Sequence, residues 1–189
     1  MRIISGKLKG NSLYLPKDKK IRPLKDIARE SIFNLLIHSN KIFFQFNQSC
    51  VLDLYAGTGS FGLECISRQA KNVYFVEKEK NALSILKKNI EKLKVKNKTT
   101  VFLDDAIELI RKSNISSTKF DLIFCDPPFK DEKINRLIEV IYNKNILQKN
   151  GILVIHRKKS IRDKFPDCLK IIDERIYGIS KIVFGKFLG

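Results

Sequence analysis

Val51-Leu52-Asp53-Leu54-Tyr55-Ala56-Gly57-Thr58-Gly59-Ser60-Phe61-Gly62 reads as a short apolar strand, a tight turn and the opening of a helix. Glycines at 57, 59 and 62 let the backbone turn sharply and approach a ligand closely. Outward from this stretch the same grammar repeats. Apolar runs stand at Val51–Leu54, Val73–Val76, Thr100–Leu103, Leu122–Cys125 and Ile152–Ile155, with longer amphipathic segments between them. The clearest of these, Ala82 to Leu93, places Leu83, Leu86, Ile90 and Leu93 on one helical face. Strands separated by helices predict βαβ crossovers and a parallel sheet covered on both faces. The last segment differs: Leu169–Ile172 and Ile182–Phe184 flank Tyr177-Gly178 with no helical pattern between them, which predicts an antiparallel pair closing the sheet.

Before the glycine stretch, Arg2–Ser5 and Ser12–Leu15 are β-like and joined through Gly6 and Gly10, so a hairpin is expected. Pro16 and Pro23 bracket a basic loop, and Leu24 to His38 has helical spacing at Ile27, Ile32, Leu35 and Leu36. The expected organisation is one α/β unit: a basic hairpin and helix over residues 1–40, and a catalytic domain over 41–189.

The 189 residues are enough for one domain with a sizeable core, and 43% hydrophobic with 30% charged residues is a globular composition. No apolar run approaches the roughly 20 residues that span a bilayer, and the start lacks a secretory pattern. A cytoplasmic protein without a membrane partner, and a monomer, is expected. Cys50, Cys65, Cys125 and Cys168 form no CxxC pair and read as small reduced side chains. With only His38 and His156 besides, no ligand set is spaced for zinc, and no metal is expected. The formal charge of +17 points to a polyanionic partner. Lysines outnumber arginines about three to one, however, the bias an AT-rich genome gives any protein.

The glycine loop alone fits two cofactors. Gly57, Gly59 and Gly62 satisfy GxGxxG, which a nicotinamide enzyme also uses. Glu77 ends the second strand, where a carboxylate accepts hydrogen bonds from ribose hydroxyls. Asp53 shifts the balance toward S-adenosyl-L-methionine, because an acceptor at that strand end suits the amino-acid part of that cofactor. Tyr55, Ala56 and Ala106 complete the expected contacts. Leu103-Asp104-Asp105-Ala106 ends the third strand, with Asp105 read as the acceptor for an adenine amino group and Asp104 more readily as a helix cap.

The most specific signal is Asp126-Pro127-Pro128-Phe129, which follows a buried strand. Two prolines forbid strand continuation and hold the Asp126 carboxylate and Pro127 carbonyl in a rigid turn. Two acceptors orient a weakly nucleophilic amino group on a planar ring, and Phe129 offers a face for the base to stack on. No strong general base is required, which fits the lack of a neighbouring histidine in the sequence. The run selects amine methylation without choosing guanine N2 over adenine N6. A non-catalytic RNA-binding factor on the same fold is the alternative of another class.

With these residues assembled, the chain resembles the RsmD-like bacterial family of 16S ribosomal RNA guanine-N2 methyltransferases along nearly its whole length. The resemblance is carried by Arg2-Ile3-Ile4-Ser5-Gly6 with Lys9-Gly10, Arg22-Pro23 with Arg29-Glu30-Ser31-Ile32-Phe33, Leu52 to Glu64, Val76-Glu77 and Asp126 to Phe129. It implies a Rossmann-like class I methyltransferase: a mostly parallel seven-stranded sheet with one antiparallel strand and a small N-terminal extension. It also implies methyl transfer to N2 of one guanine in 16S rRNA, on a small ribosomal subunit or its assembly intermediate. Arg2, Lys7, Lys9, Arg22 and Arg29 are then the expected RNA contacts, with a structural ion-pair network of Arg29 and Glu30 on the first helix as the alternative for Arg29. The chain departs from the family at Leu24-Lys25-Asp26-Ile27-Ala28, and at His156, where relatives often carry an acidic residue.

Overall fold

The computed structural model describes residues 1–16, 26–112, 114–128 and 132–188. Five parallel strands, β1 (Cys50–Leu54), β2 (Asn72–Glu77), β3 (Thr99–Leu103), β4 (Phe120–Cys125) and β5 (Leu147–Lys158), are followed by β6 (Leu169–Tyr177) and β7 (Ser180–Phe187). They form one seven-stranded sheet in the order β3-β2-β1-β4-β5-β7-β6. β7 runs antiparallel to both its neighbours, β5 and β6. The expected architecture is present, including the antiparallel closing pair.

Helices α1 (Asp26–His38), α2 (Ser60–Ser67), α3 (Lys80–Lys92), α4 (Ala106–Lys112) and α5 (Ile134–Asn143) cover the sheet. Strand side chains alternate between the two faces, and two cores follow. Val51, Phe124, Val154 and Phe184 pack with Phe33 of α1, Phe61 of α2 and Leu86 of α3. Leu52, Ile123, Ile155 and Val183 pack with Ile110 of α4 and Ile138 of α5. The Phe61 and Phe124 rings stack with centroids 3.9 Å apart, fixing α2 against β4. Among the described residues no helix is long and apolar enough to cross a membrane.

The N-terminal extension is drawn more tightly into this core than residues 1–40 suggested. Arg2 and Ser12 form a single antiparallel bridge rather than two strands, and the turn between them uses positive φ at Gly6 and Gly10. A Cβ on Gly6 would lie 2.0 Å from the Ser67 carbonyl oxygen, so only glycine allows this approach to the end of α2. Ile3 and Leu13 join the core of α1, α2 and α3. Three buried polar side chains fasten the segment. Glu64 accepts the Ile4 and Ser5 N–H groups at 2.7 and 2.9 Å. Asn89 accepts the Tyr14 N–H at 2.7 Å and donates to the Thr58 carbonyl at 3.0 Å. Arg29 donates to the Arg2 carbonyl at 2.7 Å and to the Ser60 carbonyl at 3.4 Å.

Strand order positions the site. From β1 the chain builds outward to β2 and β3, then crosses back to place β4 on the other side of β1. The carboxyl ends of β1 and β4 therefore diverge at the point where open α/β sheets bind ligands. Asp53 and Asp126 stand there.

Candidate active site

The loop after β1 is a strained hinge with a distinct task for each glycine. Tyr55 (φ 62°), Gly57 (φ 56°) and Gly59 (φ 84°) all have left-handed backbones. The Ala56 N–H reaches the Val76 carbonyl at 3.0 Å, and the Gly59 N–H closes back on the Ala56 carbonyl at 2.8 Å. A Cβ on Gly59 would meet Leu86 Cδ1 at 2.3 Å, and one on Gly62 would meet Phe75 Cε1 at 2.3 Å. Those two glycines serve close packing of α2 on α3 and β2. At Gly57 a Cβ would meet nothing within 4 Å among the described residues beyond its chain neighbours. Gly57 alone faces the open cleft, a cradle that a side chain would fill.

Carboxylates line the edge of the three central strands. Asp53 is 1% exposed, and its Oδ2 accepts the Gly62 N–H at 3.0 Å. Burial pushes its carboxyl up to about 8; the Gly62 N–H opposes this, and the charges of Asp126 and Glu77 reinforce it. Glu77 Oε2 accepts the Gly57 N–H and Oε1 the Glu79 N–H, both at 2.7 Å. Each carboxylate oxygen retains a second lone pair, so the expected ribose contact remains open to it.

Next along the edge, Asp105 Oδ1 accepts the Ile107 N–H at 3.0 Å and the Glu108 N–H at 3.4 Å. Asp105 is thus the N-cap of α4, while exposed Asp104 accepts the N–H of Asp105 at 2.8 Å. The cap is Asp105 rather than Asp104, the residue expected from sequence to fill that role more readily. Asp105-Ala106-Ile107-Glu108 has the spacing of a capping box, a signal that identifies the cap. Ala106 is buried at the helix start.

At the end of β4, Asp126 is partly buried, Pro127 buried and Pro128 exposed; Phe129 lies outside the described residues. The structure corrects one expectation here. A histidine does stand beside the run: His156 Nδ1 is 2.7 Å from Asp126 Oδ1. The two are 30 residues apart in sequence, but β4 pairs β5 with Cys125 opposite Ile155. One step further along both strands brings Asp126 and His156 together.

The expected RNA contacts divide. Arg2 is exposed near the start of α2, through its backbone tie to Arg29. Lys7 and Lys9 are exposed at the opposite end of that helix, where the Lys7 N–H meets the Ser67 carbonyl at 2.8 Å. Eight helical residues separate that turn from the glycine loop by about 12 Å. Arg22 lies outside the described residues. Arg29 is a correction: its side chain is fully buried and holds two backbone carbonyls, so it is part of the architecture and not of an RNA surface.

A basic strap after β5 was not singled out from sequence. Arg157, 2% exposed, donates from Nε and Nη2 to the Asp163 carboxylate at 2.9–3.2 Å. Lys181 Nζ reaches the Ile161 carbonyl at 3.1 Å. These bonds tie down the loop of residues 159–164; Lys158 at the end of β5 and Lys159, Arg162 and Lys164 in the loop are exposed. The run His156-Arg157-Lys158-Lys159-Ser160-Ile161-Arg162 signals it in the sequence.

The family described as "Conserved hypothetical protein 95" matches residues 1–186. The chain is 31% identical over 179 residues to "Ribosomal RNA small subunit methyltransferase D" of Haemophilus influenzae, covering 95% of this chain and 90% of that protein. This chain belongs to the RsmD-like methyltransferase family. It is also 30% identical over 192 residues to "Putative rRNA methyltransferase YlbH" of Bacillus subtilis, covering all of both chains. Among solved structures, that of "putative methylase HI0767 from Haemophilus influenzae" superposes with a TM-score of 0.78 at 29% identity, covering 100% of this chain and 98% of that one. Within this RsmD-like fold, Asp53, Glu77 and Asp126 sit on three adjacent strand ends, β1, β2 and β4.

Proposed function

We propose that this chain transfers a methyl group from S-adenosyl-L-methionine to the exocyclic N2 of one guanine in 16S rRNA, on the small ribosomal subunit or its assembly intermediate. The observation that carries methyl transfer to an amine is Asp126, held at the end of β4 beside the glycine loop and ahead of two prolines; the choice of a guanine in small-subunit RNA is supported by the similarity to "Ribosomal RNA small subunit methyltransferase D".

The residues present fit the cofactor. Glu77 beside the cradle at Gly57, with Asp53 ionising as a cation enters, suits a ribose-bearing cofactor with a sulfonium and an ammonium group. Asp53 and the Tyr55–Gly59 turn would hold the amino-acid part, with Gly62 packing α2 behind it. Glu77 would take the ribose hydroxyls, and Asp105 with Ala106 the adenine side. When bound, the cofactor supplies a methyl group on a positively charged sulfur.

The protein's own work is placement. Asp126 and the Pro127 carbonyl accept the two amine hydrogens and aim the nitrogen lone pair. The Asp126 carboxylate would take the proton that the amine loses on methylation and pass it on to water. Phe129 provides the stacking face. Such positioning accounts for much of the rate in transfers of this kind.

On the RNA side we assign the strap cations Lys158, Lys159, Arg162 and Lys164, together with Arg2 and Arg22. The strap follows β5 directly beyond His156, on the same sheet edge as Asp126. Its one aspartate is neutralised by buried Arg157, so the exposed charge is free for phosphates. Asp126→Ala tests the site. Isothermal titration should give cofactor affinity within about threefold of wild type, while methyl transfer to unmodified small subunits falls at least about a hundredfold. Wild-type turnover in this variant would overturn the assignment.

A further inference from the structure

The contact between His156 and Asp126 has a role beyond holding two strands together. His156 lies on β5 with β4 on one side and β7 on the other, its backbone paired opposite Ile182. It is 5% exposed, and its side chain shares the face of Ile152 and Val154, which are packed into the core of α1 and α2. The imidazole is therefore anchored on a strand with neighbours on both sides. Asp126 sits one residue past the end of β4, on the loop that leads to the prolines. An aspartate carboxylate turns about its last bond with little preference. Without a partner, its two oxygens would sweep the cleft.

We infer that His156 is the positioning residue for Asp126: its Nδ1–H pins Oδ1 and so presents Oδ2 to the amine that receives the methyl group. A carboxylate only accepts hydrogen bonds, so a bond to Asp126 places the imidazole proton on Nδ1. One oxygen is then committed to the scaffold, and the carboxylate is oriented by a buried residue of the sheet. Oδ2 remains to accept an amine hydrogen and, as the nitrogen–carbon bond forms and the carbon–sulfur bond breaks, to take one proton. His156 touches neither substrate nor cofactor in this arrangement. It acts through Asp126, and it stands where the resemblance had pointed to an acidic residue, which could not donate to a carboxylate when ionised.

The inference rests on the reading of Asp126 as the amine acceptor, and two measurements keep the two apart. The first is a comparison of His156→Asn, His156→Gln and His156→Leu in full-length protein, with small subunits lacking the modification. The Asn amide puts an N–H near the position of Nδ1, the Gln amide puts one near Nε2, and Leu offers none. His156→Leu should lower kcat about 10- to 100-fold while KM for the subunits and Kd for the cofactor stay within about threefold. His156→Asn should recover at least about tenfold of that loss, and His156→Gln little of it. Equal kcat in the Asn and Gln variants, or wild-type kcat in a folded Leu variant, would overturn the assignment, and the Asn–Gln comparison stands if the Leu variant does not fold.

The second measurement needs no turnover. Nitrogen-15 spectra of the histidines should show His156 protonated at Nδ1 in the wild type, and Asp126→Ala should shift that signal. A proton on Nε2 alone, or a signal indifferent to Asp126→Ala, would overturn the dyad. If the wild type transferred no methyl group, the reading of the active site would fail, and the spectra would still decide whether His156 orients Asp126.

Discussion

Cofactor binding should be coupled to the titration of Asp53. Its carboxyl is buried against α2 and pushed up to about 8, chiefly by desolvation, with Asp126 and Glu77 adding repulsion. In the protein without cofactor it is therefore largely protonated at neutral pH. A sulfonium and an ammonium brought into the cleft favour its ionised form, so binding should release a proton. At pH 6 about one Asp53 in a hundred is ionised, and at pH 7.5 about one in four. If only the ionised form receives the cofactor, Kd should fall about 20-fold over that interval. The window stops there because the cofactor's own amino group, with an ordinary value near 8, is already about one quarter deprotonated at pH 7.5 and loses more of its charge above it. Isothermal titration at pH 6.0, 6.5, 7.0 and 7.5, in buffers of different ionisation enthalpy, reads affinity and released protons together. Asp53→Asn keeps an acceptor for the Gly62 N–H and cannot ionise. Its Kd should be flat with pH and no tighter than the wild-type value at pH 6. A wild-type Kd unchanged across the interval, with no proton released, would refute the reasoning.

The same group makes a stability statement of definite sign. A carboxyl whose folded value is raised stabilises the fold below its unfolded value near 3.8, and that contribution is lost as pH rises toward 8. Urea unfolding of Asp53→Asn should therefore show less loss of stability than wild type between pH 5 and 8. Arg29→Ala should lose about 3 kcal/mol in the same assay, because it strips a buried guanidinium from the Arg2 and Ser60 carbonyls. A loss under about 1 kcal/mol, accompanied by weaker RNA binding, would return Arg29 to the RNA surface. Gly62→Ala should cost about 1–3 kcal/mol through its clash with Phe75. Gly57→Ala should cost about 1 kcal/mol of backbone strain and weaken cofactor binding more than it weakens the fold. Replacing Lys158, Lys159, Arg162 and Lys164 together by Ala should flatten the salt dependence of subunit binding by up to about 3–4 units of log–log slope. An unchanged slope would remove the strap from the RNA side.

Much of the scaffold is legible in the sequence because buried parallel strands write themselves as short apolar runs. Leu122–Cys125 and Ile152–Ile155 mark β4 and β5, and Ala82–Leu93 marks α3 through one apolar face. The antiparallel end of the sheet is readable for the same reason, since nothing helical lies between Leu169 and Phe184. What sequence does not carry is pairing. His156 and Asp126 meet only once β4 and β5 are neighbours in a known register, and a one-residue slip would point the imidazole to the other face. The burial of Arg29 is equally silent, because it depends on the N-terminal segment folding back over α1 and α2 to offer the Arg2 carbonyl. The glycines share one motif and have different work, which only the contacts of an added Cβ distinguish. For the aspartates after β3 the information was present, in Glu108 three residues beyond Asp105.

The central claim is that Asp126, beside the glycine loop, directs a methyl group to a guanine amine of small-subunit RNA. It is tested most directly by incubating the protein and S-adenosyl-L-methionine with unmodified small subunits, digesting the RNA and identifying the nucleosides by mass spectrometry. N2-methylguanosine at one site, absent with Asp126→Ala, is the expected result. N6-methyladenosine, or no new methylated nucleoside with folded wild-type protein, would contradict it.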